Sequence, residues 1–164
     1  MDVLVVGVGT GIEAETFVRR TRSLRGVDIA AGILEIARVN VRGARIEVCA
    51  AEELTCVRDA SVDLYVALRT FQSTLFDQEA ALAEAHRVLR KDGRLVLSIP
   101  TRFYDPISRR VTEGLLLSPE ADDVSAELPW EEVGHLRRLL GASQFEAIEV
   151  RSGAVELYVW GKRV

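Results

Sequence analysis

The sequence predicts an α/β protein, in which helices cover both faces of a doubly wound seven-strand sheet. Two observations carry this prediction. Short, β-branched apolar runs alternate with segments whose apolar residues recur at helical spacing. The chain then closes on two alternating runs, joined at Ser152 and Gly153, that are typical of an antiparallel hairpin. We therefore expect the strand order 3-2-1-4-5-7-6, with the last strand antiparallel.

Each element follows from a local pattern. The strands are short apolar runs that end at glycine, proline or charged residues. In chain order they are residues 3–6, 27–30, 46–50, 63–68, 94–99, 145–150 and 155–160. The helices span about residues 11–24, 32–40, 78–89 and 129–140. Asp77 is the expected N-cap of the third helix, and Pro129 opens the fourth. Residues 51–61 form a short crossover, and the signals in residues 101–128 are mixed.

Composition restricts the function classes. A chain of 164 residues is expected to form one domain. Its 48% hydrophobic and 28% charged residues are ordinary for a soluble globular protein, and no apolar run is long enough to span a bilayer. A net charge of −4 does not favour nucleic-acid binding. Cys49 and Cys56 lack the spacing of metal ligands, and no signal peptide is recognisable, so we expect a cytoplasmic protein without a metal.

Three glycines in alternate positions follow the first strand. Gly7, Gly9 and Gly11 are placed where a strand turns into a helix, so they allow positive φ and close approach of a ligand to the main chain. The N–H groups of the next helix would face that ligand. The dinucleotide fingerprint requires glycine or alanine at position 12, where this chain has Ile12, and this counts against NAD or FAD. A tight turn without a ligand is the alternative.

An acidic residue is expected at the end of the second strand. Asp28 follows Gly26 and Val27, and a carboxylate in that place can accept hydrogen bonds from both hydroxyls of a ribose. The alternative role for Asp28 is that of a strand-end turn residue. Together with the glycines, Asp28 predicts a site for a ligand that contains a nucleoside.

Four stretches in this order resemble the class I S-adenosylmethionine-dependent methyltransferases, in particular the small methyltransferase-domain group. They are residues 3–11, residues 26–29 with 33–38, residues 51–54 with 59–64, and residues 81–97. The last stretch, which reads ALAEAHRVLRKDGRLVL, is a close match to the family's helix into the fifth strand. The resemblance covers almost the whole chain and implies a Rossmann-like methyltransferase fold with S-adenosylmethionine as cofactor.

The resemblance also implies which residues border the cofactor. The glycine loop would surround the methionine and ribose, Asp28 would hold the ribose hydroxyls, and Ile29 would pack on the adenine. Two residues would border the adenine edge, and two would lie near the sulfonium and the methyl acceptor. In that order, the implied cofactor-binding residues are Gly7, Val8, Gly9, Thr10, Gly11, Asp28, Ile29, Ala51, Glu52, Leu68 and Arg69.

The sequence departs from the family in three places. Val5 and Ala50 stand where the family often has acidic residues, and only Met1 and Asp2 precede the first strand, where relatives usually have a leading helix. Each lost charge-assisted hydrogen bond would cost about 1.5–3 kcal/mol of cofactor binding. Two alternatives to an active methyltransferase therefore stay open. One is a methyltransferase-like binding or partner subunit with weak or lost cofactor binding, and the other is an NAD-type or other nucleotide-binding protein.

No catalytic residue is assigned from the sequence. Methyl transfer from a sulfonium is a direct displacement that depends mainly on alignment. Arg69 is expected at the mouth of the site, where it would bind an anionic substrate group or form a surface ion pair. The other polar or aromatic residues considered for the mouth and the acceptor pocket are Thr70, Gln72, Ser73, Phe103 and Tyr104. His86 and His135 are expected to be packing or surface residues.

The methyl acceptor is expected to be a small molecule, because no Asn-Pro-Pro-Tyr type motif for DNA or protein-glutamine methylation is present. Without a leading helix, the cleft over residues 7–11 would be open. The candidate cover within the chain is residues 101–128, whose apolar run at 115–117 either packs on the core or contacts a partner or a second copy. We expect the chain to work as a homodimer or with a partner that closes this cleft.

Overall fold

The strands and helices alternate as the sequence predicts. The computed structural model describes residues 1–71, 77–100, 102–105, 110–113, 128–153 and 156–164. The strands are β1 Asp2–Val6, β2 Ser23–Asp28, β3 Arg45–Val48, β4 Val62–Leu68, β5 Leu89–Pro100, β6 Arg102–Asp105, β7 Arg110–Glu113, β8 Phe145–Ser152 and β9 Glu156–Arg163. The helices are α1 Ile12–Val18, α2 Ala31–Asn40, α3 Gln78–Val88 and α4 Leu128–Ala142. No described helix is long and apolar enough to cross a membrane.

Seven strands form one sheet in the order β3-β2-β1-β4-β5-β9-β8. The first five strands of that order are parallel, and β9 is antiparallel to both of its neighbours. β6 and β7 pair only with each other, in a separate two-stranded sheet within the stretch of mixed signals. Numbered without them, the strands follow the predicted order 3-2-1-4-5-7-6, and the predicted fold is confirmed. β1 is the first described element of the chain.

Helices cover both faces of the sheet. α1 and α2 bury Ala14, Leu34 and Ala37 against alternate residues of β1 and β4. α3 and α4 pack on the opposite face, in the larger cluster that includes Leu82 and Leu136. Strand residues alternate between these two clusters, as expected for strands that are buried on both sides.

The first helix is shorter than predicted. α1 ends at Val18, and the segment assigned to its last turns enters β2 at Ser23, so Leu24 is a buried strand residue. The physical reason is pairing with β1. Asp2 lies opposite Ser23 in the register and accepts hydrogen bonds from the Ser23 hydroxyl at 2.7 Å and from Arg22 Nε at 2.9 Å. These contacts extend the chain where the apolar spacing alone favoured a helix.

The other helices begin and end close to the predicted residues. The Asp77 carboxylate accepts hydrogen bonds from the N–H groups of Glu79 and Ala80, at 2.9 and 3.1 Å, which confirms Asp77 as an N-cap. α2 buries Leu34, whereas Ile36 on the same helix is exposed.

One edge of the sheet brings the candidate residues together. The carboxyl ends of β1, β2, β4 and β5 meet there, and the amino end of the antiparallel β9 lies beside them, with Glu156 opposite Pro100. Ligands of open α/β sheets bind outside such carboxyl ends, where the strand order reverses. In this chain the reversal lies between β1 and β4.

Candidate functional site

The three glycines form a left-handed turn between β1 and α1. Gly7, Gly9 and Gly11 have φ values of 68°, 53° and 82°, which L side chains rarely adopt. A Cβ at Gly7 would lie 2.2 Å from Thr70 Oγ1, and one at Gly11 would lie 2.3 Å from Val41 Cγ2. No described atom lies within 4 Å of a Cβ built at Gly9. Gly9 is therefore the place where a ligand can approach the main chain.

Asp28 connects this turn to the end of β2. Its Oδ2 accepts a hydrogen bond from Gly9 N–H at 2.9 Å, and its Oδ1 accepts one from Ala30 N–H at 3.0 Å. Each carboxylate oxygen keeps a second lone pair. Asp28 therefore has the strand-end structural role that was the alternative, and it retains the capacity to accept hydrogen bonds from two hydroxyls. Its contact with ribose stays a prediction.

The residues around Asp28 and Gly9 provide an apolar surface and a hydrogen bond between the glycine turn and α2. Ile29 is 74% exposed at the carboxyl edge, so it is available to pack against an adenine ring. Val8 differs, because its side chain is 4% exposed and would touch a Cβ at Gly26, so only its main chain can border a ligand. The Thr10 carbonyl accepts a hydrogen bond from Asn40 Nδ2 at 2.9 Å, which ties the turn to α2.

The crossover after β3 begins beside Asp28. Cys49 N–H donates to the Asp28 carbonyl at 3.1 Å, and the next residues turn through a bridge between Ala50 and Glu53. Ala51 and Glu52, predicted at the adenine edge, lie in this turn. Glu52 Oε1 accepts a hydrogen bond from Asp77 N–H at 3.3 Å, just before α3. The turn therefore places both residues at the same edge of the sheet as Asp28.

Arg69 follows Leu68 at the end of β4 and has a left-handed φ of 52°, which is uncommon for a residue with a side chain. Its N–H donates to Ser98 Oγ at 3.0 Å. Its guanidinium forms ion pairs with Glu13 and, through Nε, with Glu156 Oε1 at 3.5 Å. Of the two roles considered for Arg69, the structure shows the ion pair.

Of the other residues expected at the mouth of the candidate site, the structure describes Thr70 fully. Thr70 packs on Gly7, and its Oγ1 lies 3.1 Å from the Leu68 carbonyl and 3.3 Å from the Val6 carbonyl. Gln72 and Ser73 lie outside the described residues, as do the side chains of Phe103 and Tyr104. The apolar run at 115–117 is also outside them, so a cover for the cleft, whether this run, a homodimer or a partner, stays a prediction.

Three residues at this edge were not identified from the sequence. Glu13 on α1, Ser98 on β5 and Glu156 on β9 all contact Arg69. A polar residue inside an apolar strand was the available signal for Ser98, which is fully buried. Glu156 carried a weaker signal, as a charged residue at the start of an alternating strand. Which residue each of them meets depends on strand order and register.

The histidines and cysteines do not enter the site. His86 packs edge-on against Phe145, with ring centroids 5.7 Å apart, and burial lowers its pKa. His135 is exposed on α4. Burial and the neighbouring Cys49 thiol raise the pKa of Cys56 to about 12, which makes Cys56 a poor nucleophile at neutral pH. The part of the chain that the structure describes contains no group of three side chains placed to hold a metal ion.

Comparison with known proteins gives a family match and several relatives. The model of a methyltransferase domain family matches residues 4–97. A Mycobacterium tuberculosis protein named "probable S-adenosylmethionine-dependent methyltransferase" is 37% identical over 104 residues, which are 62% of this chain and 36% of that protein. A demethylmenaquinone methyltransferase of Tropheryma whipplei is 28% identical in an alignment of 166 positions, gaps included, that covers 88% of this chain and 66% of that protein. This chain thus spans about a third of the mycobacterial protein.

The solved structures support the fold. A SAM-dependent methyltransferase from Methanosarcina mazei superposes with a TM-score of 0.71 at 16% identity, and the match covers 99% of this chain and 92% of that one. Likeness at this identity concerns the arrangement of strands and helices, and it agrees with the seven-strand mixed sheet described above.

Proposed function

The chain belongs to the methyltransferase domain family, and from that premise we propose that it transfers a methyl group from S-adenosylmethionine to a small organic acceptor. The observation that carries the proposal is the overlap of the family match, residues 4–97, with the Gly9–Asp28 contact at the carboxyl edge of the sheet. The Tropheryma whipplei relative, whose name states that it methylates demethylmenaquinone, supports a small-molecule acceptor.

The residues at the edge fit the proposed cofactor. The open space over Gly9 leaves room for a ligand against the main chain, Asp28 keeps two lone pairs for ribose hydroxyls, and Ile29 offers an exposed apolar surface for adenine. Ala51 and Glu52 would border the adenine edge, and Leu68 would lie near the methyl group. When bound, S-adenosylmethionine supplies an electrophilic methyl group on a sulfonium.

The contribution of the chain is then mainly alignment. The turn at residues 7–11 is fixed by Asp28 and by Thr70, so it would hold the methionine end in one place relative to β4. A direct displacement needs the attacking atom, the methyl carbon and the sulfur nearly in line, and positioning of that kind accounts for a large share of rate enhancement. The mouth beside Arg69 is where the acceptor would approach.

A second candidate is a methyltransferase-like subunit that has lost the cofactor. Val5 and Ala50 favour it, because neither supplies the acidic side chain expected from the family. Val5 is buried between the sheet and α1 and α2, so no acidic group of β1 faces the ligand from that position. Intact glycines and Asp28 favour the enzyme.

Asp28→Ala is expected to weaken binding of S-adenosylmethionine by about 10- to 100-fold, because it removes hydrogen bonds to the ribose and frees the Gly9 N–H. Isothermal titration with S-adenosylmethionine, S-adenosylhomocysteine and NAD measures this. Asp92→Ala is the matched control, because Asp92 pairs with Lys162 at the opposite edge of the sheet.

The wild-type titration separates the candidates. Binding of S-adenosylmethionine together with methyl transfer supports the enzyme, and absence of binding supports the partner subunit. Binding of NAD alone would support the nucleotide-binding alternative. A folded Asp28→Ala protein that binds S-adenosylmethionine as tightly as wild type would show that Asp28 is not the ribose ligand.

A further inference from the structure

Four side chains from three elements that are distant in sequence meet beside the end of β4. We call Glu13, Arg69, Glu156 and Tyr158 the mouth cluster. Arg69 is its centre, because its guanidinium contacts Glu13 of α1 on one side and Glu156 of β9 on the other. Glu156 and Tyr158 are two positions apart on β9, so their side chains leave the same face of the strand. The mouth cluster therefore spans α1, β4 and β9.

The mouth cluster is adjacent to the glycine turn. Thr70 follows Arg69 directly, and its Oγ1 would lie 2.2 Å from a Cβ at Gly7. Arg69 N–H is held by Ser98, which stands opposite Tyr158 in the β5–β9 register. Thr70, the next residue after Arg69, thus contacts the turn where the proposed cofactor would lie. An acceptor in line with the methyl group would meet the mouth cluster.

Glu156 is the unusual member. Its side chain is only 12% exposed, and its Oε2 is shielded from water without a hydrogen-bond partner among the described residues. An unpaired carboxylate oxygen out of contact with water is costly, so each case calls for an explanation. The contact from Arg69 Nε to Oε1 is 3.5 Å, longer than a hydrogen bond, and Arg69 is 45% exposed. The Tyr158 phenol also interacts with the Glu156 carboxylate. A small movement of Arg69 would open Glu156 to an acceptor.

The charge of the mouth cluster selects among acceptors. Two carboxylates share one guanidinium, which leaves a formal charge of −1. Burial raises the pKa of the Tyr158 phenol, and the adjacent Glu156 carboxylate raises it further, so Tyr158 stays neutral. An anionic substrate would therefore have to compete with both carboxylates for Arg69. A group that donates a hydrogen bond finds an acceptor here, whereas a carboxylate or phosphate meets like charge.

We propose that Glu156 is a catalytic residue that accepts the proton of a hydroxyl or amine methyl acceptor, an inference that rests on the proposed function. A lone pair on the oxygen or nitrogen of the acceptor forms a bond to the methyl carbon. The carbon–sulfur bond breaks, and its electron pair stays on sulfur. The proton of the acceptor passes to Glu156 Oε2, which balances the charge.

Glu156→Gln tests this, because it keeps the size of the side chain and removes its basicity. Glu149→Gln is the matched control, since Glu149 lies in the adjacent strand and pairs with Arg151 on the surface. The probes share one skeleton. They are 2-naphthol and 2-naphthylmethylamine, which carry a transferable proton, 2-naphthoate, which is an anion, and 2-methoxynaphthalene, which has neither feature.

Calorimetry with S-adenosylmethionine comes first, because it tests the proposed function separately. Both variants are expected to bind the cofactor within about twofold of wild type. Binding of the four probes is then followed by saturation-transfer NMR on protein saturated with S-adenosylhomocysteine. Methyl transfer to each probe is measured with tritiated cofactor. We expect wild type to prefer a proton-bearing probe over 2-naphthoate by about 10-fold or more. Glu156→Gln should abolish that preference and lower the rate of any transfer by roughly 100-fold or more.

Each other result overturns the inference. A wild-type preference for 2-naphthoate would show that Arg69 accepts anions after all. Binding of none of the proton-bearing probes at millimolar concentration, or equal behaviour of Glu156→Gln and Glu149→Gln, would remove the role of Glu156. Failure of wild type to bind S-adenosylmethionine would remove the proposed function and this inference with it, and the first titration identifies that case.

Discussion

At the scale of single residues, the three glycines of the turn have different roles. All three have positive φ, but only Gly7 and Gly11 are closely surrounded, by Thr70 and by Val41. Gly9 faces open space and donates its N–H to Asp28. The same residue type therefore serves packing at two positions and leaves open space at the third, where the proposed cofactor would approach.

Gly7→Ala and Gly9→Ala are expected to separate these roles. Both substitutions place a side chain at positive φ, which costs about 1–2 kcal/mol of folding free energy. Gly7→Ala adds a clash with Thr70, so we expect a total loss near 3 kcal/mol. Gly9→Ala should cost about 1 kcal/mol in stability but weaken cofactor binding more strongly. Urea unfolding and calorimetry measure the two effects, and equal destabilisation by both substitutions would contradict the assignment.

At the scale of elements, α3 holds the crossover between β3 and β4. Glu84 accepts a hydrogen bond from Leu54 N–H at 2.7 Å, and Arg87 donates to the carbonyls of Leu54 and Val57, at 3.0 and 3.1 Å. Glu84 and Arg87 also form an ion pair with each other, and the hydrogen bond from Arg87 lowers the pKa of Glu84. No helix forms in residues 51–61, so these contacts with α3 fix the turn that carries Ala51 and Glu52.

Arg87→Ala is expected to lower the free energy of unfolding by about 2 kcal/mol, because it leaves the crossover carbonyls and the Glu84 carboxylate without their charged donor. It should also weaken cofactor binding, since the adenine-side turn loses its support. Urea denaturation and titration with S-adenosylmethionine test both effects. Arg58→Ala, an exposed position in the same crossover, is the control and should change stability by less than about 0.5 kcal/mol. An Arg87→Ala protein as stable as that control would show that Arg87 does not hold the crossover.

Sequence patterns predict elements and local motifs better than contacts between elements. The Asp77 cap, the glycine turn and the acidic end of β2 depend on neighbours in the chain, and all three are found where expected. The predicted end of α1 was wrong because Asp2, which is distant in sequence, forms hydrogen bonds with Arg22 and Ser23. Glu13 and Glu156 could not be linked to Arg69 before the strand order and the β5–β9 register were known.

At the scale of the whole molecule, the two edges of the sheet differ. The carboxyl edge holds the candidate site, and the amino edge holds an ion-pair network. There Asp2 accepts hydrogen bonds from Arg22, Ser23 and Arg90, and Asp63 pairs with Arg90 and accepts the Asp2 N–H. These contacts join β1, β2, β4 and β5. Stabilising contacts of this network thus lie at the edge away from the candidate site.

The Asp2 network should make stability depend on acid pH. The hydrogen bond from Arg22, followed by that from Ser23, holds the pKa of Asp2 well below its usual range. A lowered folded pKa means that the carboxylate stabilises the fold above its unfolded pKa of about 3.9, and that this contribution is lost as pH falls toward the folded pKa. Asp2→Asn should therefore cost up to about 1 kcal/mol at pH 7 and less as pH falls below about 4.

Urea unfolding at pH 7 and at several values below 4 measures the difference between wild type and Asp2→Asn. Glu15→Gln, at an exposed position of α1, is the control and should show no such convergence. A difference that stays constant through the acid range would mean that the Asp2 charge does not contribute to stability.

The hydrogen bond between Gly9 and Asp28 has a consequence for the timing of ligand capture. The turn is fixed by a hydrogen bond within the chain, at the carboxylate that is also expected to receive the ribose. A preorganised turn gives up little conformational entropy when a ligand arrives, so less of the contact energy is lost to ordering. The association rate then depends on diffusion and orientation instead of a loop rearrangement. Differences in affinity among related ligands would then arise mainly in the dissociation rate.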